Sequence, residues 1–213
     1  MTIKQRYEGV ISIFQEMMPD PKTELCYDTP FHLLLAVILS AQCTDKRINM
    51  VTPALYARYP EPGDMAASSE EEVYSYIKSV TFPNNKAKAL IKAARMIHEE
   101  YGDELPCDID KLMRLPGVGR KTANVMLSVV WNKSAMAVDT HVFRVSNRIG
   151  LTNDSPNPVA TEKTLVKYIP EELVARAHHW LILHGRYVCK ARKPECMECA
   201  IHDYCKSYNK IRN

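Results

Sequence analysis

The sequence predicts an all-α fold of roughly eight to ten short helices. Two observations carry this expectation. Apolar residues recur at helical spacing along almost the whole chain, and nowhere do Val, Ile or Thr alternate with polar residues long enough to make a strand. Composition is the third: 46% apolar and 25% charged residues over 213 positions suit a globular chain with a real core and indicate neither disorder nor a coiled coil.

The elements follow in order. Ile3, Tyr7, Val10, Ile11 and Phe14 form one amphipathic stripe, closed by Pro19 and Pro21. Phe31 to Ser40 is apolar nearly all round, as a central buried helix would be. Val73, Tyr76, Ile77 and Val80 make another stripe, and Leu90, Ile91, Ala94, Ile97 and Tyr101 one that ends at Gly102. Further helices are expected over 109–114, 121–130, 140–149, 159–168 and 171–184. Thr152 to Pro158 is the clearest loop, and no repeat or low-complexity tract interrupts the chain.

Charge and hydropathy narrow the partners. The longest apolar run, Leu33 to Leu39, is far too short to span a bilayer, so no membrane partner is expected. Net charge is only +3, which permits a polyanionic partner without demanding one. Its distribution says more. Arg186, Lys190, Arg192 and Lys193 crowd one short segment, and Lys206, Lys210 and Arg212 follow it. Such a cluster reads as a solvated face or as a phosphate contact. Met1 to Arg6 is polar and basic with no apolar segment behind it, unlike a secretory leader, so the expected location is cytoplasmic.

That basic segment contains Cys189, Cys196, Cys199 and Cys205, spaced C-x6-C-x2-C-x5-C within seventeen residues. Without a leader, disulfides are disfavoured, and four soft thiolates in so short a loop suit one inorganic centre. Spacing leaves the centre open between zinc and an iron–sulfur cluster, since a tetrahedral zinc site favours two C-x2-C pairs and only one is present. Cys26, Cys43 and Cys107 are isolated and expected to be small core residues.

Leu115-Pro116-Gly117-Val118-Gly119-Arg120-Lys121 joins two of the expected helices. Glycines two apart allow a tight turn and expose backbone N–H groups, which with the outgoing helix N-terminus make an anion site fit for a phosphodiester. The plainer reading is a joint where glycine permits close packing. A nucleotide P-loop is excluded, because the G-x-x-x-x-G-K spacing is missing. Lys121 lies just inside the outgoing helix. Helix dipole and cleft desolvation would both favour a neutral, nucleophilic amine there; otherwise Lys121 is a solvated phosphate contact. Asp139 precedes another helix and reads as an N-cap, or as a carboxylate serving charge stabilisation or proton transfer near Lys121.

The segments Leu39 to Asp45, Leu115 to Asn124, Val138 to Val145 and His179 to Arg186, with the cysteine ending, together resemble the bacterial endonuclease III family. These motifs in this order are specific, and they extend over essentially the whole chain. The resemblance implies a two-lobed helix-hairpin-helix DNA glycosylase fold: a six-helix barrel over 22–133, with the hairpin at 109–130, and a cluster domain from 1–21 plus 134–213. It implies a [4Fe–4S] cluster on the four cysteines and double-stranded DNA lying between the lobes. Lys121 then becomes the nucleophile and Asp139 the catalytic carboxylate of a bifunctional glycosylase and abasic-site lyase. Its substrates would be oxidised pyrimidines or abasic sites, and it would act as a monomer.

By the same resemblance Gln42 fills the stack vacated by a flipped nucleotide. Leu115, Gly117, Val118 and Gly119 contact backbone phosphates, as do Arg186, Lys190, Arg192 and Lys193. One departure stands out. The family commonly has Gly-(Leu or Phe)-Tyr-x-x-Lys-Ala between two barrel helices, where this chain has Thr81-Phe82-Pro83-Asn84-Asn85-Lys86-Ala87. Phe82 keeps the apolar wedge position, and Pro83 should bias it towards an extended backbone. Its alternative is a core residue. Two other functions are weighed. An adenine mismatch-type monofunctional glycosylase is disfavoured by Lys121 and by the short stretch, Lys206 to Asn213, after the last cysteine. A non-catalytic iron–sulfur DNA-binding redox protein is disfavoured by Lys121 and Asp139 together.

Overall fold

A computed structural model gives the fold; it describes residues 1–212, and side chains through residue 209. The side chains of Lys210 and Arg212 therefore lie outside the described residues. Twelve α-helices and three short 3₁₀ turns are found, with no strand among the described residues. The all-α expectation holds, although its helix count is too low.

The chain forms two compact units, Thr23–Trp131 and Met1–Lys22 with Asn132–Asn213. The contiguous unit holds α2 (Pro30–Leu39), α3 (Asp45–Arg58), α4 (Pro62–Ala66), α5 (Glu70–Ile77), α6 (Pro83–Tyr101), α7 (Ile109–Arg114) and α8 (Arg120–Trp131). Helix α2 starts at Thr29, whose hydroxyl accepts the His32 N–H, with Pro30 just inside the helix. Every residue from Phe31 to Leu39 is buried, and α3, α6 and α8 pack around it. That explains its lack of a polar face. Each fully buried leucine there contributes about 1.5–3 kcal/mol of transfer free energy.

Helices α3 and α4 had no clear signal in the sequence. Helix α3 is polar, with Ile48, Thr52, Leu55 and Tyr56 its buried residues and Pro53 inside it, while α4 is a five-residue helix. Proline normally breaks a helix interior by removing one donor, and here the rest of α3 carries the turn.

The second unit is assembled from both ends of the described chain. Helix α1 (Ile3–Met17) is held by a capping box between Thr2 and Gln5. It buries Tyr7, Val10 and Phe14 among residues of α9 (Thr140–Ile149), α10 (Pro158–Tyr168) and α11 (Val174–Tyr187). The short α12 (Lys206–Arg212) completes the unit. Two polar tips are satisfied inside it: Tyr7 Oη donates to the Leu151 carbonyl at 2.8 Å, and Trp180 Nε1 to the Met18 carbonyl at 2.8 Å. Such pairing is what buried aromatic polar groups require.

The three isolated cysteines depart from expectation. Cys26 and Cys107 are exposed and Cys43 is half-buried. All three sit in connections between helices, outside the inward-facing stripes that form the core.

Candidate functional site

Helix α7 begins at Asp108, whose carboxylate accepts the Lys111 N–H at 2.9 Å. After Arg114 the Leu115 carbonyl accepts the Val118 N–H at 3.0 Å. With Pro116 second and Gly117 third at φ 84°, the turn has the make-up of type II, which needs positive φ at its third residue. Leu115 and Val118 are only 1% and 7% exposed. Their side chains anchor the turn inside the unit and are not available to a ligand, so the hairpin can offer main chain alone.

The two glycines have different reasons. A Cβ on Gly117 would stand 3.1 Å from Ala89 Cβ and 3.3 Å from Ile38 Cγ2, so both packing and backbone require glycine. Around Gly119 no atom lies within 4 Å of that position, and its carbonyl accepts the Ala123 N–H at 2.9 Å as α8 begins. The fold itself gives Gly119 no reason to lack a side chain; a backbone that must be approached from outside does.

Lys121 is exposed in the first turn of α8. Its side chain is open to approach from solvent. Asp139 caps α9, its Oδ1 accepting the Val142 N–H at 2.8 Å. The N-cap reading therefore holds, and only one carboxylate oxygen is used by it. Lys121 and Asp139 belong to different units.

Gln42 and Phe82 are both exposed, Phe82 by 60%. A core role for Phe82 is excluded. Neither is it extended: Phe82 takes φ 52°, ψ 51°, left-handed, as the N-cap of α6. The pre-proline bias is overridden where the chain must turn sharply into a helix that starts at Pro83. Gln42 is left-handed too, at φ 55°. Between them lies Lys86, buried on α6, whose ammonium donates to the Leu39 and Ala41 carbonyls.

The four cysteines of 189–205 line one hollow, together with Ile149, His184 and Ile201. Burial, followed by repulsion from the other thiols, raises the Cys196 thiol, and the same causes push Cys199 up to about 11. Burial alone holds His184, 3.8 Å from Cys199 Sγ, down to about 4. Four thiolates facing one hollow without a cation would repel one another. The donor set therefore fits a cationic centre that discharges them.

Sequence reading missed what holds this loop in place. Arg144 Nη2 donates to the Gly185 and Cys189 carbonyls at 2.8 and 3.1 Å. Arg148, four residues on along α9, donates to the Lys190 and Ala191 carbonyls at 2.7 and 3.0 Å and approaches Cys189 Sγ at 3.7 Å. Two arginines one turn apart was the available signal, but the sequence does not say which carbonyls they meet. Of the basic cluster, Arg186 is half-buried on α11, while Lys190, Arg192 and Lys193 are exposed on the loop. Lys190 is already paired with Glu195 at 2.5 Å.

Comparison with known proteins agrees with this geometry. Residues 35–171 match the family of HhH-GPD superfamily base excision DNA repair proteins, and residues 189–205 match the iron–sulfur binding domain of endonuclease III. Endonuclease III of Rickettsia conorii is 47% identical over 203 residues, covering 95% of this chain and 96% of that protein. The Escherichia coli K12 enzyme is 45% identical over 204 residues, covering 95% of each. A trapped endonuclease III–DNA covalent intermediate has a TM-score of 0.92 at 43% identity over the whole of both chains. A thermostable thymine-DNA glycosylase, at 21% identity and TM-score 0.88, shares the fold.

Hairpin and cysteine loop together thus define a base excision DNA repair glycosylase and lyase carrying a [4Fe–4S] cluster. Within that class, the chain belongs to the endonuclease III family.

Proposed function

We propose that the protein removes oxidised or ring-saturated pyrimidines from double-stranded DNA and cuts the strand on the 3′ side of the resulting abasic site by β-elimination. The observation that carries this reading is Lys121: an exposed amine in the first turn of the helix that leaves the hairpin. The hairpin main chain grips phosphate while Lys121 Nζ attacks C1′ of a flipped nucleotide. The glycosidic bond breaks, the base leaves with its electron pair, and ring opening yields an imine between Nζ and C1′. That imine acidifies the C2′ hydrogen, whose loss expels the 3′ phosphate. Asp139 stabilises positive charge on the sugar and assists the proton transfers with the oxygen not used in capping.

Unit 23–131 serves as the barrel and unit 1–22 with 132–213 as the cluster domain. Cys189, Cys196, Cys199 and Cys205 ligate the cluster, which when bound supplies four iron–thiolate bonds to the loop. Arg192 and Lys193 contact phosphate from that loop and Arg186 from the end of α11, and Lys190 does so less strongly because of Glu195. Gln42 and Phe82 enter the duplex beside the flipped nucleotide. The enzyme acts as a monomer in the cytoplasm, on the nucleoid.

Borohydride trapping tests the central step. Wild-type protein should form a covalent complex with abasic duplex, and Lys121→Ala should abolish it while retaining much of the phosphate-based affinity. Asp139→Asn should keep the cap, since asparagine caps about as well, and lose most turnover. Trapping that survives Lys121→Ala would refute the assignment.

A further inference from the structure

Two exposed side chains in the contiguous unit, Gln42 and Phe82, sit on backbones that ordinary residues avoid. Both are left-handed, at φ 55° and 52°, and such conformations persist only where the surroundings hold them. One network does so. Lys86 is 7% exposed, and its three ammonium hydrogens meet three oxygens: the Leu39 carbonyl at 2.8 Å, the Ala41 carbonyl at 2.7 Å and Thr81 Oγ1 at 3.1 Å. Thr81 Oγ1 in turn lies 3.1 Å from both the Ala41 and the Gln42 carbonyls, to which it shares its single proton. The ammonium thus closes the carboxyl end of α2 and ties the turn carrying Gln42 to the turn carrying Phe82.

We propose that Lys86 and Thr81 are positioning residues that lock the Gln42 and Phe82 turns into one two-pronged element, so that both prongs enter the duplex as a unit. This rests on the reading that Gln42 and Phe82 enter the duplex. A buried ammonium with all three donors used resists the sliding of one turn past the other, because any shift strands a charged donor away from water. Prongs fixed before contact lose less freedom when DNA binds, and the gain falls on opening the helix. A lysine that only capped α2 would need the Leu39 and Ala41 carbonyls but not Thr81. The hydroxyl is what separates the two roles.

The test is a double-mutant cycle in the cluster-loaded enzyme, under single turnover. One substrate is a duplex with thymine glycol paired to adenine. The other is a single strand with a ready-made abasic site, which has no base to extrude. Thr81→Ala should slow base release from the duplex roughly fivefold, within the coupling range of residues sharing one network, and leave single-strand cleavage at the wild-type rate. Thr81→Ser, which keeps the hydroxyl, should restore release. In a Gln42→Ala background Thr81→Ala should add nothing further. A 2-aminopurine beside the lesion should report less extrusion in Thr81→Ala. Lys86→Met should show the same split between substrates, together with a lower melting temperature. Slowed release in Gln42→Ala and Phe82→Ala, with Thr81→Ala at the wild-type rate or strictly additive, would overturn the lock alone. Normal release in Gln42→Ala and Phe82→Ala would overturn the wedge reading and the lock with it.

Discussion

The hairpin at 115–119 and the cysteine loop at 189–205 are both irregular segments that present backbone to solvent, yet they are held by opposite means. The hairpin is anchored from below by Leu115 and Val118 and closed by a turn whose glycine has a conformational reason. Nothing from Lys190 to Glu198 is buried; Cys199 and Ile201 are buried in the core near the far end of the loop, with Cys189 and Tyr204 packed against it. Its backbone is instead stapled by Arg144 and Arg148 and converges on four thiols. Apolar anchoring comes with the chain itself. Ligation depends on a centre supplied from outside, and its free energy is then part of the loop's folding free energy.

Four perturbations would break or sharpen that contrast. Cys199→Ser, or removal of iron, should have the largest effect: loss of the visible cluster absorbance and rapid tryptic cleavage after Lys190 and Arg192. Circular dichroism should show most helix retained, because Thr23–Trp131 has its own core. Global unfolding of both units on iron loss would contradict the division of labour. Leu115→Ala should come next. It should cost about 2–5 kcal/mol in denaturant unfolding, as for a buried leucine, with cluster absorbance intact. Arg148→Leu should cost less, about 1–3 kcal/mol for the loss of charged hydrogen bonds, and speed cluster loss under oxidant. Its stability effect belongs at the low end because those bonds lie at an exposed edge. Gly119→Ala should be smallest in stability, neutral or stabilising by up to about 1 kcal/mol, since its φ is ordinary and its surroundings open. DNA affinity should nevertheless fall, and unchanged affinity would return Gly119 to a mere helix start.

What the sequence disclosed follows the same division. Short-range chemistry was legible: the buried α2, the Pro-Gly turn, the Asp139 cap and the cysteine spacing each depend on neighbours within a few residues. Long-range polar ties were not. Lys86 reaches Leu39 across the unit, and Arg148 reaches Ala191, because the fold brings carbonyls to them. A carbonyl has no residue-type signature, so no pattern in the chain announces such an acceptor. Helix α3 was missed for another reason: its buried face is narrow and partly polar, with Thr52 among the buried residues. The basic cluster was legible as composition, but the Lys190–Glu195 pair that mutes one of its charges was not.

The split arrangement of the second unit also sets an order of events during synthesis. Helix α1 leaves the ribosome early, but the partners of Tyr7, Val10 and Phe14 all lie beyond residue 132. At about 5–20 residues per second, its apolar stripe stays unpaired for several seconds while Thr23–Trp131 folds behind it. Iron cannot be delivered to a complete set of thiols until Cys205 has emerged, by which time the hairpin is already built. A cell short of iron would therefore accumulate chains with a finished hairpin unit and a loose cysteine loop. Such chains would be visible to proteases through the basic loop, and their turnover would follow iron supply.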